Sequence, residues 1–369
     1  MKFVISREAL LKPLSLVAGI VERRQTLPIL SNVLIALDGD RLTLTGTDTE
    51  VEFMARITLP EPGESGEITV PARKLADICK SLPEAGRLEF TLDEQRLLLR
   101  SGRSRFTLST LLASDFPNTE QASGAVQFTL NQLRLRQLID RIAFAMAQQD
   151  VRYYLNGMLF EVTPTRLRTV ATDGHRLAMA TLDAQFESVS SNMQVILPRK
   201  GVLELLRLLQ DPAEDVRVVL GTNHFHATTP EFTFTSKLVD GKFPDYERVL
   251  PREADKRMIG SRVELKDALT RTAILSNEKY RGVRLVFDDG NLQILANNPE
   301  QEEAEEQVGV SYSGPRVEIG FNVSYLLDVL GALGSEEVQF QLSDGSRSIL
   351  IEDPAAGGET LYVVMPMRL

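Results

Sequence analysis

Apolar and polar positions alternate along most of this chain, and tight polar turns break the alternation at regular intervals. The stretch Leu167 to Ala180 reads LRTVATDGHRLAMA: a short alternating run, a polar tripeptide, and a second extended run. Leu42 to Phe53 (LTLTGTDTEVEF) and Leu292 to Glu306 (LQILANNPEQEEAEE) repeat that design. Their tripeptides Gly46-Thr47-Asp48, Ala171-Thr172-Asp173 and Ala296-Asn297-Asn298 are spaced by 125 residues and 125 again. Alternation interrupted by Asp, Asn or Gly predicts strand, turn, strand. Three copies at one period predict three copies of one fold unit.

The flanking elements repeat as well. The first copy predicts a strand at Lys2–Ile5, a helix over Arg7–Val21 that contains Pro13, and hairpin strands Asn32–Leu37 and Arg41–Thr45 around Asp38-Gly39-Asp40. A helix over Arg73–Leu82 follows, its apolar Leu75, Ile78, Cys79 and Leu82 spaced i, i+3, i+4, i+7. Strands 96–100 and 105–110 close the copy. The second copy predicts a strand at Val126–Leu130, a long helix over Asn131–Ala147, strands Leu155–Val162 and Leu167–Val170, and a helix over Arg199–Leu209. The third predicts helices over Glu264–Leu275 and Asn322–Leu333 among strands 283–287, 292–295, 338–342 and 349–352, then an extended end from Leu361. The expected class is α+β, as repeated units at 1–123, 124–255 and 256–369 with linkers near Ala122-Ser123-Gly124 and Arg252 to Lys256.

A length of 369 residues accommodates two to three domains, and the repeat selects three. With 43% hydrophobic and 25% charged residues the composition is that of a globular protein, and no apolar run nears the ~20 residues of a membrane span. The charged amino-terminal stretch MKFVISREALLKPL does not read as a signal peptide. The single cysteine, Cys79, rules out an intramolecular disulfide and reads as a core thiol. Together these predict a cytoplasmic protein. The net charge of −10 argues against a protein that coats itself in nucleic acid.

Positive charge nonetheless recurs on the predicted helices. Arg134, Arg141 and Gln148 are seven residues apart, as are Arg73 and Lys80, and Lys200 and Arg207; Arg23 and Arg24 follow the first helix. An ordinary solvated face explains the same pattern, and Asn322–Leu333 carries no basic residue. Asp173 and His175 admit a hydrolase reading, with the carboxylate orienting a histidine base. No nucleophile motif accompanies them. The acidic run Glu300–Glu306 lacks the ligand spacing and glycine of a calcium loop and reads as a charged strand edge, so no metal and no cofactor are expected.

The strings VRYYLNGMLF (Val151–Phe160), ATDGHRLA (Ala171–Ala178), TSKLVDGKFPDY (Thr235–Tyr246), ILSNEKYRGVRL (Ile274–Leu285), IGFNVSYLLDVL (Ile319–Leu330) and the terminal YVVMPMRL resemble the bacterial DNA polymerase III beta subunits, the sliding clamps. The resemblance spans the chain. It implies three clamp domains, a homodimer joined head to tail as a ring on double-stranded DNA, and no catalysis. Implied partners are a clamp loader, the polymerase catalytic subunit and other proteins bearing a clamp-binding motif, and no membrane. Twelve helices at ~9 Å spacing would enclose a hole of about 25 Å, wide enough for duplex DNA.

The resemblance also implies site residues. A pocket for partner peptides would use Arg152, Tyr154, Leu155, Thr172, Gly174, His175, Arg176 and Leu177, then Pro244, Arg248 and Val249. Asn322, Tyr325, Ser348, Val363, Met365, Pro366, Met367 and Arg368 would complete it, with Val363, Met365 and Met367 alternating onto one strand face. Arg24, Gln149, Tyr153 and Tyr154 join the basic helical positions as DNA-facing residues. Lys74, Arg103, Arg105, Phe106 and Leu108 would meet Glu300, Glu302 and Glu303 at the dimer seam, with Ile274 and Leu275 at its apolar centre; burial of that pair in a domain core is the competing reading. A monomeric peptide-binding scaffold and the Asp173/His175 hydrolase are the alternative functions.

Overall fold

The computed structural model describes residues 1–21, 27–117, 126–190, 192–251 and 254–368. Arg23, Arg24 and the Ala122–Gly124 linker fall outside them, as do residues 252 and 253. Six helices are described: α1 (Arg7–Ile20), α2 (Ala72–Ser81), α3 (Gln132–Asp140), α4 (Arg199–Leu208), α5 (Arg262–Thr272) and α6 (Val323–Ala332). α1 continues unbroken through Pro13, and Ser6 caps it by accepting from the Ala9 N–H. The chain divides into two compact units, Met1–Leu133 with Leu203–Leu238, and Arg134–Val202 with Val239–Leu369.

Each unit contains two sheets. In the first, one sheet runs Lys2–Ser6, Arg87–Asp93, Arg96–Ser101, Ser104–Ser109. Its companion runs Gly66–Pro71, Asn32–Asp38, Arg41–Thr47, Val51–Thr58, Phe232–Lys237, His224–Thr228, Asp215–Leu220, Val126–Asn131. In the second unit the larger sheet runs Met193–Pro198, Gly157–Thr163, Arg166–Thr172, Arg176–Asp183, Thr360–Val364, Ile349–Glu352, Glu337–Leu342, Lys256–Ser261, Ser311–Tyr312. The smaller runs Glu303–Gly309, Asn291–Asn297, Gly282–Asp288, Val317–Asn322.

Two four-strand orders therefore recur three times. Two copies fuse edge to edge inside each unit: Val51–Thr58 pairs antiparallel with Phe232–Lys237, and Arg176–Asp183 with Thr360–Val364. The corresponding edges of the smaller sheets, Ser104–Ser109 and Glu303–Gly309, have no outer neighbour among the described residues.

The repeated tripeptide opens a turn capped by its own side chain in all three copies, two residues longer in the third. Asp48 Oδ1 accepts from the N–H groups of Glu50 (2.9 Å) and Val51 (2.7 Å), and Asp173 Oδ1 from His175 (2.9 Å) and Arg176 (3.0 Å). Asn298 Oδ1 accepts from Glu302 at 3.0 Å. A short side-chain acceptor that mimics a backbone turn is why Asp and Asn occupy these positions. The small residue two places earlier has a packing reason: a Cβ on Gly46 would lie 2.7 Å from a methyl of Val17 on α1.

Three expectations are corrected. The helix expected over Asn131–Ala147 ends at Asp140, and a 3-10 turn, Ala143–Ala145, follows. Ile142, Ala143, Ala145, Met146 and Ala147 are all buried, and so continuous an apolar run has no solvent face for an amphipathic helix. Arg141 and Gln148 consequently lie beyond α3 and do not align with Arg134 on it. α5 likewise stops at Thr272, leaving Ile274 and Leu275 in the 3-10 turn Ala273–Leu275. Leu155, expected to open a strand, lies in the 3-10 turn Tyr153–Leu155. Among the described residues no helix is long and apolar enough to cross a membrane. Cys79 is buried, and burial pushes its thiol up to about 12.

His226 supplies a test of the core. It is buried, with Nδ1 3.0 Å from Thr235 Oγ1, and burial, then the nearby His224, lowers its pKa. A histidine with a depressed folded pKa leaves stability intact above its unfolded value of ~6.5 and lowers it as the pH drops through that value, because the unfolded chain binds the proton first. The urea midpoint should fall between about pH 6.5 and 5, and fall less in His226→Gln. Equal slopes in both proteins would locate the acid sensitivity elsewhere.

Candidate functional site

The second unit holds a groove of about 160 Å³ at the junction where Arg176–Asp183 pairs with Thr360–Val364. Three segments shape it. Arg152 and Leu155 come from a loop closed by reciprocal bonds between Asp150 and Asn156, each 2.9 Å. Thr172, Gly174, Arg176 and Leu177 come from the repeated turn. Pro244 and Asp245 precede the 3-10 turn Tyr246–Val249, whose two end residues also line the groove, with Val363 from the adjoining strand and Met365 just past its end. Leu177, Tyr246 and Val363 belong to a buried cluster with Leu159, Val170 and Ile196, so the apolar wall is continuous with the core.

The turn aims the polar groups. Thr172 Oγ1 donates to the Arg176 carbonyl and accepts from the Gly174 N–H (3.1 Å). Gly174 adopts φ +89°, which favours glycine, and the Arg152 guanidinium packs close over it, 3.1 Å from where a Cβ would lie. Arg152 forms two bonds to Asp150 (3.0 and 2.8 Å) and lowers that carboxyl to about 2. Arg176 bonds Asp173 Oδ2 (3.1 Å), the Phe144 carbonyl (2.9 Å) and Asp328 Oδ2. Both carboxylate oxygens of Asp173 are thus taken by the turn backbone and by Arg176, while the His175 ring stacks on Tyr325 at 6.2 Å. No Asp173–His175 dyad forms, which removes the hydrolase arrangement.

The remaining pocket residues are dispersed around this groove. Tyr154 packs against the buried cluster, and Asn322 caps α6 through the Ser324 N–H (2.9 Å). Arg248 extends into solvent, tied to Asp245 at 2.7 Å; Ser348 precedes strand Ile349–Glu352, and Pro366 follows Met365. Met367 and Arg368 are not on the groove face. Strand Thr360–Val364 has ended, the Met367 N–H bonds the Gly320 carbonyl, and both residues line a separate cleft with Asn277, Tyr280 and Asn298. Asp245 and Tyr246, absent from the expected set, line the groove; the Tyr246 hydroxyl is held by Arg168 (2.8 Å) and Glu161 (3.3 Å). A buried tyrosine needs such a partner, but nothing in periodicity reveals which one.

Arg73, held by the Val21 carbonyl (2.9 Å), and Lys80 line a cleft of about 560 Å³ with Ser15, Ala18 and Gly19 of α1. Arg134, Arg141, Gln148 and Gln149 are exposed, Tyr153 is 58% exposed, Lys200 is half-buried, and Arg207 pairs with Glu204 at 3.0 Å. Of the seam residues, Lys74, Arg103, Arg105, Glu300, Glu302 and Glu303 are exposed, Phe106 and Leu275 half-buried, and Leu108 buried. Ile274 is 75% exposed, which excludes its burial in a domain core.

A threefold repeat of sheets with a lined apolar groove defines a scaffold built to hold other molecules. Three family descriptions tile the chain: DNA polymerase III beta subunit, N-terminal domain (residues 1–120), central domain (129–245) and C-terminal domain (247–368). The chain is 63% identical to the beta sliding clamp of Pseudomonas aeruginosa and 55% to that of Escherichia coli K12, covering 100% of both sequences in each case. The crystal structure of DNA polymerase III subunit beta from P. aeruginosa superposes with a TM-score of 0.97 at 63% identity and full coverage. That of the Caulobacter crescentus beta sliding clamp gives 0.94 at 39%, covering 100% of this chain and 99% of that one. The chain belongs to the DNA polymerase III beta subunit family, the sliding clamps. It is a processivity clamp, not an enzyme.

Asp173→Ala should lower stability by about 2 kcal/mol in urea unfolding, since it strips charge-assisted bonds from two N–H groups and a guanidinium. His175→Ala, at an exposed ring, should stay within ~0.5 kcal/mol. Equal losses in the two variants would contradict the turn as the reason for Asp173.

Proposed function

We propose that two copies of this chain join head to tail into a closed ring around double-stranded DNA, with repeats bounded near 123/124 and 255/256. The observation that carries this is the pair of open sheet edges. Within the chain, every strand matching Glu303–Gly309 is paired to one matching Ser104–Ser109. A second copy pairs both remaining edges of these two kinds, which is the condition for closure. Charge supports the pairing, with Arg103 and Arg105 on one edge and Glu303 and Glu305 on the other. Lys74, Phe106, Leu108, Glu300 and Glu302 extend the seam, and exposed Ile274 with Leu275 gives it an apolar centre. Arg73, Lys80, Arg134, Arg141, Gln148, Gln149, Tyr153, Tyr154, Lys200 and Arg207 then face DNA loosely. Topology does the holding, so the net charge of −10 is no obstacle.

The groove is the tether. Its walls suit a short apolar segment, and a P. aeruginosa sliding clamp, 63% identical with a TM-score of 0.98, has been crystallised with the peptide-like ligand griselimycin. The polymerase catalytic subunit, the clamp loader and other proteins with a clamp-binding motif use this groove in turn, in the cytoplasm. The first unit's matching junction is lined differently, for a local reason. At the matching junction of the first unit, Glu52 and Thr235 stand opposite each other where the groove has Leu177 and Val363, and Lys237 replaces Met365. Lys237 and Glu50 form an ion pair there at 3.5 Å.

Sedimentation should give twice the 41.1 kDa of one chain, and Ile274→Ala with Leu275→Ala should give a folded single chain with unchanged circular dichroism. A dimer that persists in this variant would move the seam. Loaded clamp should stay on circular DNA at high salt and leave when the circle is cut; equal retention on cut and closed circles would exclude encirclement.

A further inference from the structure

The two arginines of the groove differ in exposure and in what holds them. The Arg152 side chain is 47% exposed, that of Arg176 only 11%. All three nitrogens of Arg176 are engaged: Nε with Asp173, Nη1 with Asp328 and Nη2 with the Phe144 carbonyl. Its Cζ lies over the Phe144 ring at 5.0 Å and the Tyr325 ring at 4.6 Å. Tyr325 and Asp328 are three residues apart on α6, so one helix face supplies both a ring and a carboxylate. The same Tyr325 ring stacks on His175. One guanidinium thereby braces the turn, the 3-10 turn Ala143–Ala145 and α6 behind the groove wall.

We propose that Asp328, which does not line the groove, is a positioning residue for ligand binding, and that Arg176 serves as a fixed wall whose charge is directed away from the ligand. A guanidinium has five N–H donors in a rigid planar fork, and here its three nitrogens are matched to three acceptors behind the wall. Arg152, held on one side by Asp150, is the more exposed guanidinium of the two. This inference rests on the groove being the ligand site.

The test uses the full-length dimer and fluorescently labelled griselimycin, read by anisotropy, with thermal melting and sedimentation as controls. Asp328 is 46% exposed, so Asp328→Asn should fold and dimerise normally. It should weaken binding about fivefold, the equivalent of one ordinary hydrogen bond, and Asp328→Glu should recover part of the loss. Arg176→Lys, which keeps the charge and loses the fork, should bind as weakly as Arg176→Ala. In the Arg176→Ala background Asp328→Asn should have no further effect, an outcome that general destabilisation would not produce. Phe144→Leu, which removes one of the two rings on the same guanidinium, should likewise have no further effect in the Arg176→Ala background. Unchanged or tighter binding in Asp328→Asn, with a steeper salt dependence, would show that releasing Arg176 gives its charge to the ligand and would overturn the proposal. Failure of the unaltered protein to bind griselimycin would instead remove the groove reading beneath it.

Discussion

The unmet backbone hydrogen bonds of a strand at the rim of a sheet are the constraint on which this architecture depends. Each repeat ends one sheet in an outgoing edge and another in an incoming edge. Inside the chain those edges meet twice, at Val51–Thr58 with Phe232–Lys237 and at Arg176–Asp183 with Thr360–Val364. Such joins make continuous sheets from strands far apart in sequence. They also explain why the compact units cut across the repeats, since the second repeat contributes strands to both. The terminal edges, Ser104–Ser109 and Glu303–Gly309, keep the unmet bonds, and their basic and acidic side chains make like-to-like pairing unfavourable and unlike pairing favourable.

The groove is a by-product of one of these joins. Where two edges meet, the repeated turn at one strand end and the residues following the other strand leave a concavity. What fills it depends on a few side chains. In the first unit Glu52, Thr235 and the Glu50–Lys237 ion pair make that place polar. In the second, Leu177, Val363 and Met365 line it with apolar surface, and Leu155 and Val249 wall it from outside the sheet. A small apolar cleft of this kind gains binding energy from the burial of one or two side chains, at ~1.5–3 kcal/mol each, before the cost of ordering the partner. That magnitude suits ligands that exchange.

Electrostatics here is mostly internal. Arg152 and Arg176 are matched to Asp150, Asp173 and Asp328, Arg271 to Glu306 through bonds of 2.6 and 3.0 Å, and Arg248 to Asp245. A net charge of −10 works against general affinity for a polyanion. An assembly that retains DNA by enclosure has no need of it.

Three repeats, their α+β class and their strand turns were legible in the sequence, because alternation at period two and an Asp or Asn at fixed spacing are local signals with local causes. Asp48, Asp173 and Asn298 accept from N–H groups two to four residues ahead, and no distant contact is needed to call for them. Most helices were legible for the same reason. The end of α3 at Asp140 was not, because an apolar run is compatible with a helix until the fold shows that every side of it is buried. The groove divides the same way. The strings around Arg152, Thr172 and Met365 marked its neighbourhood, whereas Tyr246 on Arg168 and Glu161, Met367 in a separate cleft, and Arg176 turned toward Asp328 were decided only in three dimensions. Each of those depends on partners dozens to hundreds of residues away, and sequence spacing carries no information about a contact that only the pairing of distant edges creates.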